Sequence, residues 1–148
     1  MSKLTMAILS LVVSTFVFAA DKPKEEWLFV HTAQEAQATS ITLVMPISRE
    51  IFSFTDRPYR KHSYLTGDKF ASLWSDSRSD SFKLDPPNAV LTWIEEGVIK
   101  EVEVVITNAT SDIKNITYTL KNNHTLNAEL KDVSIFIDGM QCSPCLYK

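Results

Sequence analysis

Apolar and polar residues alternate with a period of two along much of this chain. "VEVVIT" puts Val102, Val104 and Ile106 on one face, "NITYTL" does the same with Ile116, Tyr118 and Leu120, and "DVSIFID" with Val133, Ile135 and Ile137. Successive side chains of an extended strand point to opposite sides, so each segment predicts a strand with one buried face. "EWLFVHT", "SITLVMP", "EIFSFT" and "AVLTWIE" add β-branched and aromatic runs, residue types that suit a pleated, half-buried surface. About seven strands separated by turn signals predict a mainly β fold, an antiparallel β-sandwich or small barrel.

One segment breaks the alternation. In "LTGDKFASLW", Phe70, Leu73 and Trp74 fall at i, i+3 and i+4, Thr66 is placed to cap the first turn, and Asp68 suits the positive helix end. The pattern predicts one short helix over Thr66 to Trp74. A helix this short does not hold alone in water, so its expected role is to close an open end of the β core. "SDSRSDS", Ser75 to Ser81, reads as a polar loop, and "DPPN", Asp85 to Asn88, as a stiff lead into the next strand.

The start of the chain concerns compartment. Met1-Ser2-Lys3 is a short positive start, Ile8 to Ala20 is uncharged and apolar, and Val17-Phe18-Ala19 offers tolerated residues before a cut. Residues 1–20 therefore read as a secretory signal peptide and 21–148 as a single β-rich domain in the periplasm or extracellular space. No later stretch has the roughly 20 apolar residues of a membrane-spanning helix, so no transmembrane segment is expected. Removal of Lys3 leaves 14 basic residues against 18 acidic ones. That balance argues against a nucleic-acid partner, which rewards a basic surface.

Against this acidic background, "DRPYRKH" concentrates Arg57, Arg60, Lys61 and His62, with Lys69 a little further on. Guanidinium groups match the geometry of carboxylate and phosphate oxygens, so the segment is the candidate ligand-binding site, for an acidic glycan, a lipid headgroup or an acidic partner. The competing reading is structural: Asp56 takes hydrogen bonds that fix the turn at Pro58, and the cations stay in water. A third reading uses Asp56 or His62 as an acid or base in an unrecognised hydrolase. Gly-x-Ser-x-Gly, His-Glu-x-x-His and phosphate-cradling glycine loops are absent from the sequence, and no catalytic residue, cofactor or metal is assigned. His31, His62 and His124 are read as surface or satisfied core residues, and Trp27, Trp74 and Trp93 as core packing in preference to sugar stacking. Asp76 and Asp80 lack the ligand spacing of a calcium loop.

The stretches "FSFTDRPYRKHSYLTGDKFASLW", "DSFKLDPPNAVLT" and "VSIFID" together resemble a family of small exported, mainly bacterial proteins. In that family a strand ending Asp-Arg-Pro-x-Arg precedes a Phe-x-x-x-Trp helix and a Pro-Pro-Asn turn. The resemblance runs from about residue 27 to 138 and implies export and a compact domain. The family has no established activity, so it implies no site residues.

Near the C-terminus, "GMQCSPC" places Cys142 and Cys145 with two residues between them and resembles the copper-binding loop of heavy-metal-associated domains. Paired thiolates suit Cu(I), but only Leu146, Tyr147 and Lys148 follow, where that family continues into a helix. As the sole cysteines of an exported chain, the pair is expected to be a disulfide, with soft-metal handling as the alternative and redox exchange a further one. Three sequons, at Asn108, Asn115 and Asn123, cluster in one β segment and read as chance in a Thr-rich region.

Overall fold

The computed structural model describes residues 24–75 and 81–140. These residues form eight strands in order: β1 Trp27–Ala38, β2 Thr42–Pro46, β3 Ile51–Thr55, β4 His62–Leu65, β5 Asn88–Glu95, β6 Val98–Ser111, β7 Asn115–Leu120 and β8 Glu129–Met140. Among the described residues one helix, α1 Gly67–Ala71, runs into a 3-10 turn over Ser72–Trp74.

All pairings are antiparallel, in the order β2-β7-β6-β5-β8-β1-β3-β4, and β2 also pairs with β1. That last contact closes β1, β2, β7, β6, β5 and β8 into a six-stranded barrel, with β3 and β4 added beside the first half of β1. Of the two expected architectures, the barrel is correct and the sandwich is not. The long β1 makes this possible: Trp27 to Val30 pair with β3, while Gln37 and Ala38 pair with β2. One strand thus serves both the barrel and its extension.

The alternating segments bury the faces their pattern dictates. Val104, Ile106, Ile116, Tyr118, Leu120, Val133, Ile135 and Ile137 are all buried, and Val102 packs against them. The helix also lies where its apolar spacing predicts. Thr66 caps it by accepting a hydrogen bond from the Lys69 N–H through Oγ1. The Phe70 ring centroid lies 5.2 Å from Phe29 and 6.4 Å from Tyr118, and Trp74 lies 4.7 Å from Phe82. Trp74 Nε1 donates to the Ile106 carbonyl at 3.0 Å, which satisfies the one polar atom its indole brings into the core. The element packs against β6 and β7 and fills the barrel with aromatic rings from β1, α1 and β7.

The expected count of strands misses β4. "HSYL" is four residues long, with His62 and Tyr64 exposed. Its only strong apolar signal, Leu65, abuts the helix. The basic segment is accordingly the turn and returning strand of a β-hairpin, not a free loop.

Candidate anion-binding hairpin

Strand β3 enters the site with Ile51, Ser53 and Thr55 facing inward and Phe52 and Phe54 facing outward. Across the hairpin Phe52 sits opposite Tyr64, and Phe54 opposite His62. Cross-strand partners share one face of the sheet, so the outer face carries four rings. Phe52 lies 5.7 Å from Phe54, 5.3 Å from Tyr64 and 6.4 Å from His62.

The turn between the strands is held by its own backbone. Asp56 Oδ1 accepts from the Arg57 N–H at 2.6 Å, and the Asp56 carbonyl accepts from Tyr59 and Arg60 at 3.1 and 3.2 Å. Thr55 exchanges two bonds with Lys61: its N–H donates to the Lys61 carbonyl at 2.9 Å, and its Oγ1 accepts from the Lys61 N–H at 2.8 Å. The Arg57–Pro58 peptide is cis, and Arg60 adopts a left-handed φ of 51°. Asp56 therefore fixes the turn, as the structural reading expects. Its carboxylate is engaged with backbone, leaving the arginine heads to project from a braced loop.

The four candidate ligand-binding residues fall into two kinds. Arg57, Arg60 and His62 are exposed, and among the described residues neither arginine is in an ion pair. Lys61 is held: its Nζ bridges to Glu25 Oε2 at 2.8 Å and stands 5.8 Å from the Tyr59 ring centroid. Glu25 Oε1 accepts from Trp27 Nε1 at 3.0 Å, so this one carboxylate ties the segment before β1 to the hairpin. Glu25 escapes sequence reasoning because its partner is 36 residues away and no local pattern marks the pair. Lys69 belongs to the last turn of α1.

Arg57, Arg60, Lys61 and His62 line one open cavity of about 420 Å³, together with Phe52 and Phe54. Guanidinium donors beside ring faces are chemistry for an anion with an apolar or ring-shaped body.

The three histidines occupy different environments. His31 is buried in the barrel, His62 is exposed on β4, and His124 lies in the β7–β8 connection. Among the described residues no group of three or more His, Cys, Asp or Glu is placed to hold a metal ion. Trp27 and Trp74 are buried and Trp93 partly so, packed against the core. Cys142, Cys145, Asp76, Asp80 and the residues of the expected signal peptide lie outside the described residues. Among the described helices none is long and apolar enough to cross a membrane. No protein-family model, curated protein or solved structure matches the chain.

Proposed function

We propose that this protein is an exported binding module that takes an anionic ligand or acidic partner on the β3–β4 hairpin. The observation that carries the reading is the pairing of two unneutralised arginines, Arg57 and Arg60, with an outward cluster of rings over one cavity. A braced turn presents those arginines at low cost in ordering, because its backbone is already fixed by Asp56 and Thr55. The export part rests on the apolar segment Ile8 to Ala20. In that compartment Cys142 and Cys145 form a disulfide that closes a very short ring, and a thiol count on native protein checks it.

The test is binding of the mature chain to polyglutamate and polygalacturonate at low ionic strength, with an Arg57→Ala, Arg60→Ala variant beside it. Both arginines are exposed, so the variant keeps the wild-type melting temperature while its affinity falls at least about tenfold. Equal binding by the two proteins, or none by the wild type, would sink the reading.

A further inference from the structure

Strand β6 is longer than either of its neighbours, and each covers only part of it. Val98 to Val105 pair with β5 on one edge, and β7 pairs on the other edge only from Ile106 to Ser111. The β7 edge of the first half therefore meets no strand among the described residues. Two bonds fix the direction of its backbone groups. The Ile106 N–H donates toward β5, to the Pro87 carbonyl at 3.0 Å, and the Val105 carbonyl accepts at 2.9 Å from the N–H of Lys121, just past the end of β7. Backbone groups of alternate residues in a strand point to the same edge, and the pairing of β5 with β6 has no register shift. Ile99, Glu101 and Glu103 thus turn their N–H and C=O groups to the open edge, where among the described residues no backbone partner meets them.

The side chains of the same three residues share the outer face of the strand, because Val102 and Val104 pack into the core. Ile99 is 72% exposed, and Ile94, its partner on β5, is 40% exposed. Glu101 and Glu103 are exposed, and among the described residues neither is in an ion pair. Glu103 also lines a cavity of about 450 Å³ with Asn122, His124 and Asp138. One short line of chain therefore offers a free main-chain ladder, two unneutralised carboxylates and an apolar end. Carboxylates alone would guard such an edge. The exposed pair of Ile94 and Ile99 does the opposite and gives an incoming chain an apolar contact.

We propose that this edge takes up an extended, basic segment of a partner polypeptide as an added antiparallel strand. The segment continues the line of β7 beyond Lys121 and runs against β6 from Glu103 to Ile99, roughly 14 Å. Main-chain bonds supply affinity in such an addition, and alternate side chains supply the choice of partner. Residues directly opposite each other share a face, so the segment, read from its N-terminus, sets a basic residue against Glu103, a second against Glu101 and an apolar one against Ile99. A second copy of the same edge does not fit. A two-fold axis at Lys100, Glu101 or Val102 sets Lys100 against Lys100, Glu101 against Glu101, or Glu101 against Glu103, and like charges directly opposite are destabilising. The edge is separate from the basic hairpin, since β6 is adjacent to neither β3 nor β4, and the inference stands apart from the anion-binding reading.

Fluorescence anisotropy of a labelled peptide, Ser-Thr-Lys-Thr-Lys-Val-Ile-Thr-Ser, titrated with the mature full-length chain at low ionic strength tests it. The wild type binds this peptide, and replacing both peptide lysines by glutamate raises Kd at least about tenfold. Glu101→Lys with Glu103→Lys, at two exposed positions, keeps the wild-type melting temperature and weakens binding by at least about the same factor. Two N-methylated peptides of equal charge then separate strand addition from attraction of charge alone. In the added strand the backbone N–H groups of the two lysines point at β6, while those of the residue after each lysine point away. Methylating the lysine backbone nitrogens therefore abolishes binding, and methylating the other two leaves it unchanged. No binding by the wild type, a double variant that binds as tightly as wild type, or equal binding of the two methylated peptides would each overturn the proposal.

Discussion

His31 Nδ1 lies 2.9 Å from the Tyr118 hydroxyl, and His31 Nε2 lies 3.0 Å from the Pro46 carbonyl. A carbonyl only accepts, so Nε2 carries the proton and Nδ1 accepts from the Tyr118 O–H. The bonds join β1, β2 and β7. They act where closure is weakest, since the pairing of β1 with β2 is confined to Gln37 and Ala38. Burial holds the Tyr118 phenol well above its ordinary range, which keeps its donor proton in place.

Acid should loosen this closure. Burial pushes the His31 pKa below its ordinary 6.5, against the opposing pull of the Pro46 bond. The unfolded chain therefore binds a proton at this site more readily than the folded one. The resulting stability is fully present above 6.5 and is lost as pH falls through the lowered value. Urea unfolding of wild type and His31→Gln across that range checks it: the difference between the two proteins shrinks as the solution is acidified. A difference that does not change with pH would mean that folding leaves the His31 pKa where it lies in the unfolded chain.

Tyr118→Phe separates the hydrogen bond from the ring. The ring contacts to Phe70 and Trp74 remain, and only the donor to His31 is removed. Leaving a buried acceptor unpaired costs about 1–3 kcal/mol, which equilibrium denaturation resolves. A loss below that range would mean that Nδ1 finds another partner.

Trp74 makes the case for the helix as part of the core. It is 3% exposed, so Trp74→Ala is expected to cost about 3–5 kcal/mol by removing a large buried ring. Trp74→Phe keeps much of the volume but strands the Ile106 carbonyl, which accepts from Nε1, and a smaller cost of about 1–3 kcal/mol follows. A helix merely resting on the surface would give losses near zero for both.

These residues show which parts of the fold a sequence can carry. Val133, Ile135 and Ile137 announce a buried strand face because the chemistry repeats at the spacing of the backbone itself. Phe70, Leu73 and Trp74 announce a helix in the same way. The choice of barrel over sandwich depends on β1 being shared between β2 and β3, a long-range pairing with no local signature. The site divides along the same line. The density of Arg57, Arg60, Lys61 and His62 is legible, and so is the turn made by Asp56. The Glu25 carboxylate that engages Lys61 comes within reach only once the registers of β1 on β3 and of β3 on β4 are fixed.

Gly139 illustrates the point at a position whose sequence context suggests something else. Beside Met140 and Cys142 it resembles part of a copper-binding loop, but the fold gives it a packing role near the end of β8. A Cβ there would fall on the Trp27 carbonyl, with the Glu26 side chain also close. The register between β1 and β8 shifts at this place, between Trp27 and Phe29, so the two backbones approach more closely than a side chain permits. The obstacle is main chain and cannot rotate away. Gly139→Ala is therefore expected to destabilise the protein by about 1–3 kcal/mol, as overpacking does. Gly97→Ala serves as a control of different origin: its cost is a strained left-handed φ of 76° in open space, with no clash. Thermal denaturation measures both costs, and pairing Gly139→Ala with Trp27→Phe brings no relief, because the obstructing carbonyl stays in place. A Gly139→Ala protein as stable as wild type would show that β8 can move off Trp27, and the close approach would then not be what requires glycine there.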